Sequence, residues 1–221
     1  MRFLSLEQLG VKVAAISEMS DGDCGDGECP AAFCAGLDID AGDLVTGGQV
    51  HGAGVAIAVE GDRGNRFAAT DGLVTAVAGL PLAVFVADCV PVYLIDPVRR
   101  AVGLVHSGRE GVRQVISGTA VRAMVDRLGC RAEHVHAAIG PSAGPCCYEV
   151  SEAMADQFRG LGLPVAGRRL DLWESTGLQL ARAGVPRGQI EVSGFCTICG
   201  GRFWSYRRDG GGMRNLATIC L

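Results

Sequence analysis

The side chains best suited to chemistry lie between residues 80 and 111. An apolar run at residues 83–87 has the composition of a buried strand and delivers Asp88 and Cys89 to its carboxyl end. A later apolar run ends at His106. A thiol and an imidazole that meet can share a metal ion or act as a nucleophile and its base. The first question is therefore whether the chain brings Cys89 and His106 together.

A β-hairpin would do so. Apolar runs at residues 92–95 and 101–106 flank residues 96–100, whose sequence, DPVRR, is typical of a turn. With the turn centred on residues 98 and 99, the numbers of paired residues sum to 197. The sequence therefore predicts an antiparallel hairpin with a defined register.

That register places His106 opposite Pro91 and Cys89 opposite Gly108. Because strand side chains alternate between two faces, Cys89 and Pro91 share a face, and Cys89 and His106 become diagonal neighbours. A slip of one residue would put them on opposite faces. Asp88 points to the other face and is a candidate general base or a group that orients a ligand.

The segment after His106 favours a bound anion. Apolar positions recur at three- and four-residue steps from Glu110 to Leu128, which predicts one amphipathic helix with Gly129 as its C-terminal stop. The N-terminus of this helix would lie beside Cys89 and His106. Its backbone N–H groups and positive dipole end favour negative charge there.

Composition excludes several classes of function. The chain has 221 residues, 48% of them hydrophobic, and a net charge of −4, so we expect one domain with a large core over residues 1–221. The arginines form no basic stripe, which argues against nucleic acid as a partner. We recognise neither a membrane-spanning run nor a signal peptide, so we expect a cytoplasmic protein that binds a small molecule. The oligomeric state is left open.

Ten cysteines without an export signal favour free thiols or metal ligands over disulfides. Residues 21–43, rich in Gly and Asp, are interpreted as a solvated loop. This loop carries Cys24, Cys29 and Cys34. The alternative is a structural zinc site that these three share with the C-x-x-C pair, Cys196 and Cys199. Cys146 and Cys147 would point in different directions in extended backbone, and we interpret them as structural.

Other polar residues are weaker candidates. Residues 49–59 alternate well enough to form a strand with His51 near its start, and a lone histidine in a strand is more often structural than a ligand. Residues 202–206 are predicted to form a strand that ends at Arg207 and Arg208. Two guanidinium groups beside a glycine loop suit phosphate or carboxylate recognition, with a solvated sheet edge as the alternative.

The pattern as a whole predicts an α+β fold, with mixed sheets covered by helices. Further strands are expected at residues 73–76, 134–139, 190–196 and 216–220, and further helices at residues 152–158 and 171–184.

Seven motifs, taken in order, resemble one family. They are QVHG, DGLVT, VADCVPVYLIDP, LVHSG, AAIGPSAGPCCYEV, FCT and SYRRD, and they run from about Gly48 to the C-terminus. This series resembles the YfiH-like, multicopper polyphenol oxidoreductase (laccase) family, and seven ordered motifs are far more specific than any one. The resemblance implies a single domain with layered α/β/β/α architecture.

The resemblance also implies a zinc ion, with copper as the alternative, bound by His51, Cys89 and His106. Two imidazoles and one thiolate leave a fourth position for water or substrate, as in catalytic zinc sites. Members are described as purine nucleoside phosphorylases with adenosine deaminase and methylthioadenosine phosphorylase activity, which implies a nucleoside and phosphate as partners. The candidate catalytic residues are Cys89, His106 and Asp88, and the candidate phosphate or substrate ligands are Arg207 and Arg208.

Other activities stay open. The family is also compatible with a peptidoglycan-precursor editing hydrolase, a polyphenol oxidase and a non-catalytic zinc-binding paralogue. The residues alone are compatible with a metal-free hydrolase that uses Cys89 as nucleophile and His106 as base. A multicopper oxidase would need more imidazole ligands than the four histidines of the chain.

Two departures from the family pattern bear on activity. Residues 1–47 lack the family's recognisable N-terminal motifs. After Gly108, Arg109 and Glu110 replace the tryptophan and arginine that the family usually has. Because a carboxylate at Glu110 would repel phosphate, we expect weak phosphate binding unless Arg109 or Arg113 compensates.

Overall fold

Two β-sheets pack face to face, and helices cover their outer surfaces. The structure, a computed structural model, describes residues 1–25 and 31–221. The strands are β1 (Val13–Ile16), β2 (Val45–Gly47), β3 (Val55–Ile57), β4 (Arg66–Phe67), β5 (Gly72–Thr75), β6 (Leu82–Val86), β7 (Val90–Asp96), β8 (Ala101–Ser107), β9 (His136–Ile139), β10 (Val165–Ala166), β11 (Arg169–Leu170), β12 (Ile190–Val192) and β13 (Asn215–Cys220). The helices are α1 (Leu4–Glu7), α2 (Ala31–Gly36), α3 (Arg109–Arg113), α4 (Ile116–Leu128), α5 (Glu152–Gly160), α6 (Leu172–Arg182) and α7 (Tyr206–Asp209).

The two main sheets are both mixed. The first has the strand order β1-β13-β6-β2-β4 and the second the order β12-β9-β7-β8-β5-β3, while β10 and β11 form a separate ribbon. Strand alternation divides the apolar side chains among the layers. Val84 and Val86 of β6 meet Tyr93 and Ile95 of β7 between the sheets.

The outer faces of both sheets are covered. Alternate residues of β7 and β8 pack against α4 and α6, with Ile116 and Leu180 buried among them. On the first sheet, Cys34 of α2 and Leu37 pack over the outer face. The predicted α+β class with α/β/β/α layers is therefore confirmed. No helix in the described part of the chain is long and apolar enough to cross a membrane.

The hairpin prediction is confirmed in its register. Strands β7 and β8 are antiparallel, with Pro91 opposite His106 and Val90 opposite Ser107. Asp96 caps the turn, because its Oδ1 accepts hydrogen bonds from the backbone N–H groups of Val98 and Arg99. Cys89 directly precedes β7 on the face that the pairing predicted.

The predicted helix over residues 110–128 is wrong as a single element. It is divided into α3 and α4 at Val115, whose backbone is left-handed with φ 60°. Because Val112 and Ile116 on either side of the break are both buried on the same sheet, the apolar spacing continues through it. Gly129 ends α4 in the left-handed conformation, as predicted.

Three predicted strands are wrong or too long by at least four residues. Residues 49–59 contribute only β3, and residues 190–196 contribute only β12. Residues 202–206 form no strand, because the backbone of Trp204 is hydrogen-bonded to the side chain of Asn215 instead of to another strand. The Asn215 amide accepts from the N–H of Trp204 and donates to its carbonyl, at 3.0 Å each. Ser205 then caps the short helix α7 by accepting from the N–H of Arg208.

Candidate functional site

The structure brings together His51, Cys89 and His106. Their possible ligand atoms all lie within 4.8 Å of one another, and the two imidazole rings are 4.8 Å apart at 76°. His106 comes from β8, Cys89 from the residue before β7, and His51 from the loop between β2 and β3. The β7–β8 hairpin and the loop between β2 and β3 therefore converge on one point.

Asp71, which precedes β5, organises two of these three side chains. Its carboxylate accepts hydrogen bonds from the backbone N–H groups of Val50, His51 and Gly52 at 3.1, 2.9 and 2.9 Å. The same carboxylate lies 2.8 Å from Nδ1 of His106. The bonds hold His51 in a left-handed conformation with φ 59°. Asp71 is thus a buried anchor that fixes the ring of one ligand and the backbone of another.

Sequence reasoning missed this role. The Thr70-Asp71-Gly72 segment reads as a turn before a strand, which is its local structure, and nothing nearby in sequence shows the partners of the carboxylate. The signal that could have indicated it is an aspartate directly before a strand that pairs with the His106 strand, as β5 does with β8.

The charges at the site are coupled. Burial raises the pKa of Asp71, but His106 and the N–H groups of Gly52 and Val50 outweigh it and lower the pKa to about 2. Burial also raises the pKa of the Cys89 thiol, yet His106 and His51 bring it down to about 6. Burial lowers the pKa of His106, but Cys89 and Asp71 raise it above its ordinary value. The metal-free site therefore favours a thiolate beside an imidazolium.

The donor set fits a metal ion with an open coordination position. One thiolate and two imidazoles are ligands that zinc and copper both accept. Gly108 makes room for the site, because a Cβ atom at this position would lie 2.8 Å from Sγ of Cys89 and 3.1 Å from Cδ2 of His51. The glycine of the His-Ser-Gly sequence therefore has a packing role at the ligands themselves.

Asp88 does not join the three ligands. Its Oδ1 accepts from the hydroxyl of Thr197 at 2.6 Å and its Oδ2 from the backbone N–H of Arg207 at 2.7 Å. Its backbone is left-handed with φ 74°. Asp88 lines the same cavity as the ligands, but both of its carboxylate oxygens hold neighbouring segments in place.

A cavity of about 930 Å³ opens over the three ligands. Its wall carries four arginines, two acidic residues and three large aromatic side chains, so it combines positive charge with flat apolar surfaces. The lining residues are Gly47, Gln49, His51, Arg66, Phe85, Ala87, Asp88, Cys89, His106, Arg109, Glu110, Tyr148, Tyr206, Arg207 and Arg214.

The two arginines singled out in the sequence have different positions. Arg207 lines the cavity, with its guanidinium 5.3 Å from the ring centre of Tyr148 and one N–H bonded to the carbonyl of Glu149. Arg208 is not among the lining residues. Its guanidinium donates to the backbone carbonyls of Thr197 and Phe203 at 2.8 Å each, so it fastens the protein's own chain.

Glu110 lies in the cavity wall with its charge already paired. Its carboxylate is 2.6 Å from Nη1 of Arg113 and 3.9 Å from Nε of Arg109. Arg109 Nε is buried and has no hydrogen-bond partner among the described residues. The ion pair reduces the repulsion that Glu110 would exert on an anion, and Arg109 keeps an unused donor.

The interpretation of residues 21–43 as a solvated loop is wrong for the part that forms α2 and for the buried Cys24 and Cys34. The alternative, a zinc site shared with Cys196 and Cys199, is not formed among the described residues either. Cys24 and Cys34 pack in the apolar layer outside the first sheet, and Cys29 lies outside the described residues. Cys196 and Cys199 instead lie beside Cys146 and Cys147. The latter two lie in a turn rather than in extended backbone, and neighbouring side chains in a turn can point the same way.

Fold and site together define a layered mixed α/β protein with a His/Cys/His group that could hold a metal ion, in a cavity of small-molecule size. The chain belongs to the multi-copper polyphenol oxidoreductase laccase family, whose model matches residues 28–221. The recognisable motifs start only at about Gly48, so the family match also includes residues that precede them.

Named relatives and solved structures are similar over most of the chain. A Geobacillus stearothermophilus protein named purine nucleoside phosphorylase YlmD is 40% identical over 74% of this chain and 66% of its own length. A Streptomyces griseus protein named purine nucleoside phosphorylase ORF3 is 37% identical over 90% of this chain and 85% of its own. The crystal structure of YlmD from Geobacillus stearothermophilus superposes with a TM-score of 0.85 at 32% identity, covering 94% of this chain and 91% of that one.

Proposed function

We propose that the protein is a purine nucleoside phosphorylase that uses one zinc ion held by His51, Cys89 and His106. The observation that carries this proposal is the position of the three ligands in the wall of a cavity that also presents arginines and aromatic rings. The names of the relatives support it.

The cavity wall suits the two substrates. Phe85, Tyr148 and Tyr206 offer flat surfaces on which a purine can stack. Arg207 and Arg109 offer guanidinium groups for phosphate, and within the described part of the chain the Nε of Arg109 has no hydrogen-bond partner. A bound zinc ion supplies a Lewis acid that polarises a substrate oxygen.

In phosphorolysis an oxygen of phosphate attacks the C1′ carbon of the ribose. The bond from C1′ to the purine nitrogen breaks, and the purine leaves with the electron pair and takes up a proton. In the proposal the arginines hold the phosphate in line with that bond and the aromatic rings orient the leaving base, so the protein acts mainly by positioning. Asp88 acts indirectly, because it holds the backbone that carries Arg207.

We extend the proposal to two related activities. A cavity of about 930 Å³ has room for methylthioadenosine as well as adenosine. The same zinc site suits adenosine deamination, in which water adds to C6 of the base and ammonia leaves. Glu110 lies in the wall and pairs with Arg113, so Glu110→Gln both removes a negative charge and leaves the Arg113 guanidinium without this ion pair. We therefore expect this variant to have a severalfold lower KM for phosphate and unchanged deamination, as measured by steady-state kinetics.

Polyphenol oxidation is the second candidate, because the family description names it. Of the four histidines in the chain, two lie at the site, while His134 precedes β9 and His136 is its first residue. Oxidases with several copper ions need many imidazole ligands. The ligand set therefore favours nucleoside chemistry.

The test is turnover of inosine and adenosine by zinc-loaded protein, with and without phosphate. We expect free base and ribose 1-phosphate only with phosphate, and inosine from adenosine without it. Cys89→Ala should abolish both, whereas Cys130→Ala, which changes a buried cysteine away from the cavity, should retain both.

Three results would contradict the proposal. Polyphenol oxidation with no nucleoside turnover would indicate the oxidase. Cleavage by metal-free protein that still requires Cys89 would indicate a cysteine hydrolase. Zinc binding without any turnover would indicate a non-catalytic paralogue or another substrate, such as a peptidoglycan precursor.

A further inference from the structure

Four cysteines lie close together in a group separate from His51, Cys89 and His106. The sulfur atoms of Cys146, Cys147, Cys196 and Cys199, here called the cysteine cluster, all lie within 4.8 Å of one another. The sulfurs of Cys146 and Cys199 are 3.7 Å apart. Sulfurs about 2.3 Å from a tetrahedral zinc ion lie about 3.8 Å from one another, whereas a disulfide bond is about 2.05 Å long. The spacing therefore matches shared metal ligation.

Backbone hydrogen bonds hold the two halves of the cluster together. The N–H of Ser142 donates to the carbonyl of Phe195 at 3.2 Å, and the N–H of Thr197 donates to the carbonyl of Ser142 at 2.9 Å. The N–H of Gly144 donates to the sulfur of Cys196 at 3.3 Å. N–H donors to a cysteine sulfur stabilise its thiolate, as they do around metal-bound cysteines.

Tight turns direct the sulfurs inward. The N–H groups of Cys147 and Tyr148 both donate to the carbonyl of Gly144 at 3.0 Å, so the adjacent cysteines lie on a turn. The N–H of Gly200 donates to the carbonyl of Cys196 at 3.0 Å and closes the C-x-x-C segment. C-x-x-C turns commonly supply two of the four ligands in structural zinc sites.

Gly144 allows the close approach of the two segments. A Cβ atom at this position would lie 3.0 Å from Cβ of Cys196 and 2.8 Å from the ring of Trp173. The indole N–H of Trp173 donates to the hydroxyl of Ser142 at 2.7 Å, which anchors the loop to α6. The cluster is thus built on a supported backbone.

We propose that the cysteine cluster binds a second zinc ion as four thiolates. When the ion binds, the four thiols lose their protons to the buffer and no electrons are transferred. Because the protein fills all four coordination positions, this site is structural. It is independent of the nucleoside chemistry proposed for His51, Cys89 and His106.

The second ion would fasten the wall of the cavity. Tyr148, which lines the cavity, directly follows Cys147. Thr197 directly follows Cys196 and donates to Asp88 at 2.6 Å. Zinc in the cluster therefore joins two segments that otherwise meet through a few hydrogen bonds.

The experiment measures zinc content and ligands in reduced protein. We expect two zinc ions per chain in the wild type and one in Cys89→Ala. X-ray absorption at the zinc edge of Cys89→Ala should show four sulfur neighbours at about 2.3 Å. Adding Cys199→Ser to this variant should reduce zinc content to near zero, while the matched control, Cys130→Ala in the same background, should retain one ion.

A wild-type measurement guards against a misfolded variant. Cobalt added to the wild type should give visible bands of a tetrahedral ion with the strong near-ultraviolet absorption of several thiolates. The proposal is wrong if Cys89→Ala holds no zinc after equimolar loading, if its zinc has nitrogen neighbours, or if the cluster is isolated as disulfides from reducing buffer. Absence of phosphorolysis by a protein that holds this four-sulfur zinc would contradict the proposed function alone.

Discussion

Cys89 is the residue whose chemistry depends most on its neighbours. Its thiol lies against two imidazoles, and one of these is held by the Asp71 carboxylate. A thiolate so placed is both a good metal ligand and a reactive nucleophile. The rate at which it reacts with an added electrophile therefore shows whether the Cys89 thiol is ionised and whether a metal ion occupies it.

We predict that Cys89 in metal-free protein is alkylated by iodoacetamide well below the pH at which an ordinary cysteine reacts. The pKa of about 6 means that the reactive thiolate forms as pH rises through about 6, compared with about 8.5 for a free cysteine. His106→Ala should shift the midpoint upward, since it removes the larger stabilising charge. Peptide mass spectrometry across pH measures the profile. Zinc should protect Cys89 from alkylation, because the bound ion would occupy the thiolate. An unchanged midpoint in His106→Ala, or an alkylation rate that zinc does not lower, would contradict the prediction.

Gly108 gives a second prediction. Gly108→Ala should lower zinc affinity about 10–100-fold, as is typical when support around a ligand is disturbed, because the new methyl group would collide with the sulfur of Cys89. Gly160→Ala is the control, since a Cβ there meets nothing within 4 Å. Competition with a chromogenic chelator measures both affinities, and equal values would show that the site adapts to the methyl group.

Asp71 gives a third prediction, which concerns stability. Asp71→Asn should lower the free energy of unfolding of the metal-free protein by about 3 kcal/mol at neutral pH, because it breaks a buried charge pair. The folded-state pKa is lowered to about 2, so the wild-type advantage is complete above about pH 4. It is lost as pH falls toward 2.

Urea unfolding at several pH values tests this prediction. Asp40→Asn is the control, since Asp40 is exposed and its carboxylate accepts from the N–H of Gly42 nearby. A wild-type advantage that grows rather than shrinks below pH 4 would contradict the assigned role.

At the scale of elements, the hairpin was predictable and the helix break was not. The register of β7 and β8 follows from a short turn with Asp, Pro and Arg between two apolar runs. The division between α3 and α4 depends on the left-handed conformation of Val115, which β-branched residues rarely adopt. His51 was misplaced in a strand for a similar reason, since its loop is shaped by a carboxylate twenty residues away in sequence.

Val115 therefore stores strain. We predict that Val115→Gly raises the free energy of unfolding by about 0.5–1 kcal/mol, because glycine adopts the left-handed conformation without the cost of a Cβ atom. Val98→Gly should have the opposite sign, since Val98 is also exposed but lacks a positive φ. Chemical denaturation measures both. A loss of stability in Val115→Gly would mean that its contacts outweigh the backbone strain.

At the scale of the whole molecule, the layers were predictable from alternation and from the family motifs. The contacts that join layers were not, since they pair residues far apart in sequence. Tyr93 is the clearest case. Its hydroxyl, fully buried between the sheets, donates to the carbonyl of Ala15 at 2.8 Å and so links β7 with β1.

We predict that Tyr93→Phe lowers the free energy of unfolding by about 1 kcal/mol, because it leaves the Ala15 carbonyl without this donor. Zinc content should not change. Tyr206→Phe is the control for stability, since Tyr206 is 60% exposed. Thermal and urea unfolding give the comparison, and equal stability of the two variants would show that the inter-sheet bond contributes nothing.

Gln49 restricts the length of the loop that carries His51. Its side-chain amide donates to the carbonyl of Phe85 and accepts from the N–H of Phe85 at 2.8 Å each, so it substitutes for a peptide group beside β6. Two residues later His51 is fastened to Asp71. Loops ordinarily tolerate insertions and deletions, but one residue added between these two anchors would move the imidazole of His51 away from Cys89 and His106. The segment from Gln49 to His51 is therefore a spacer of fixed length.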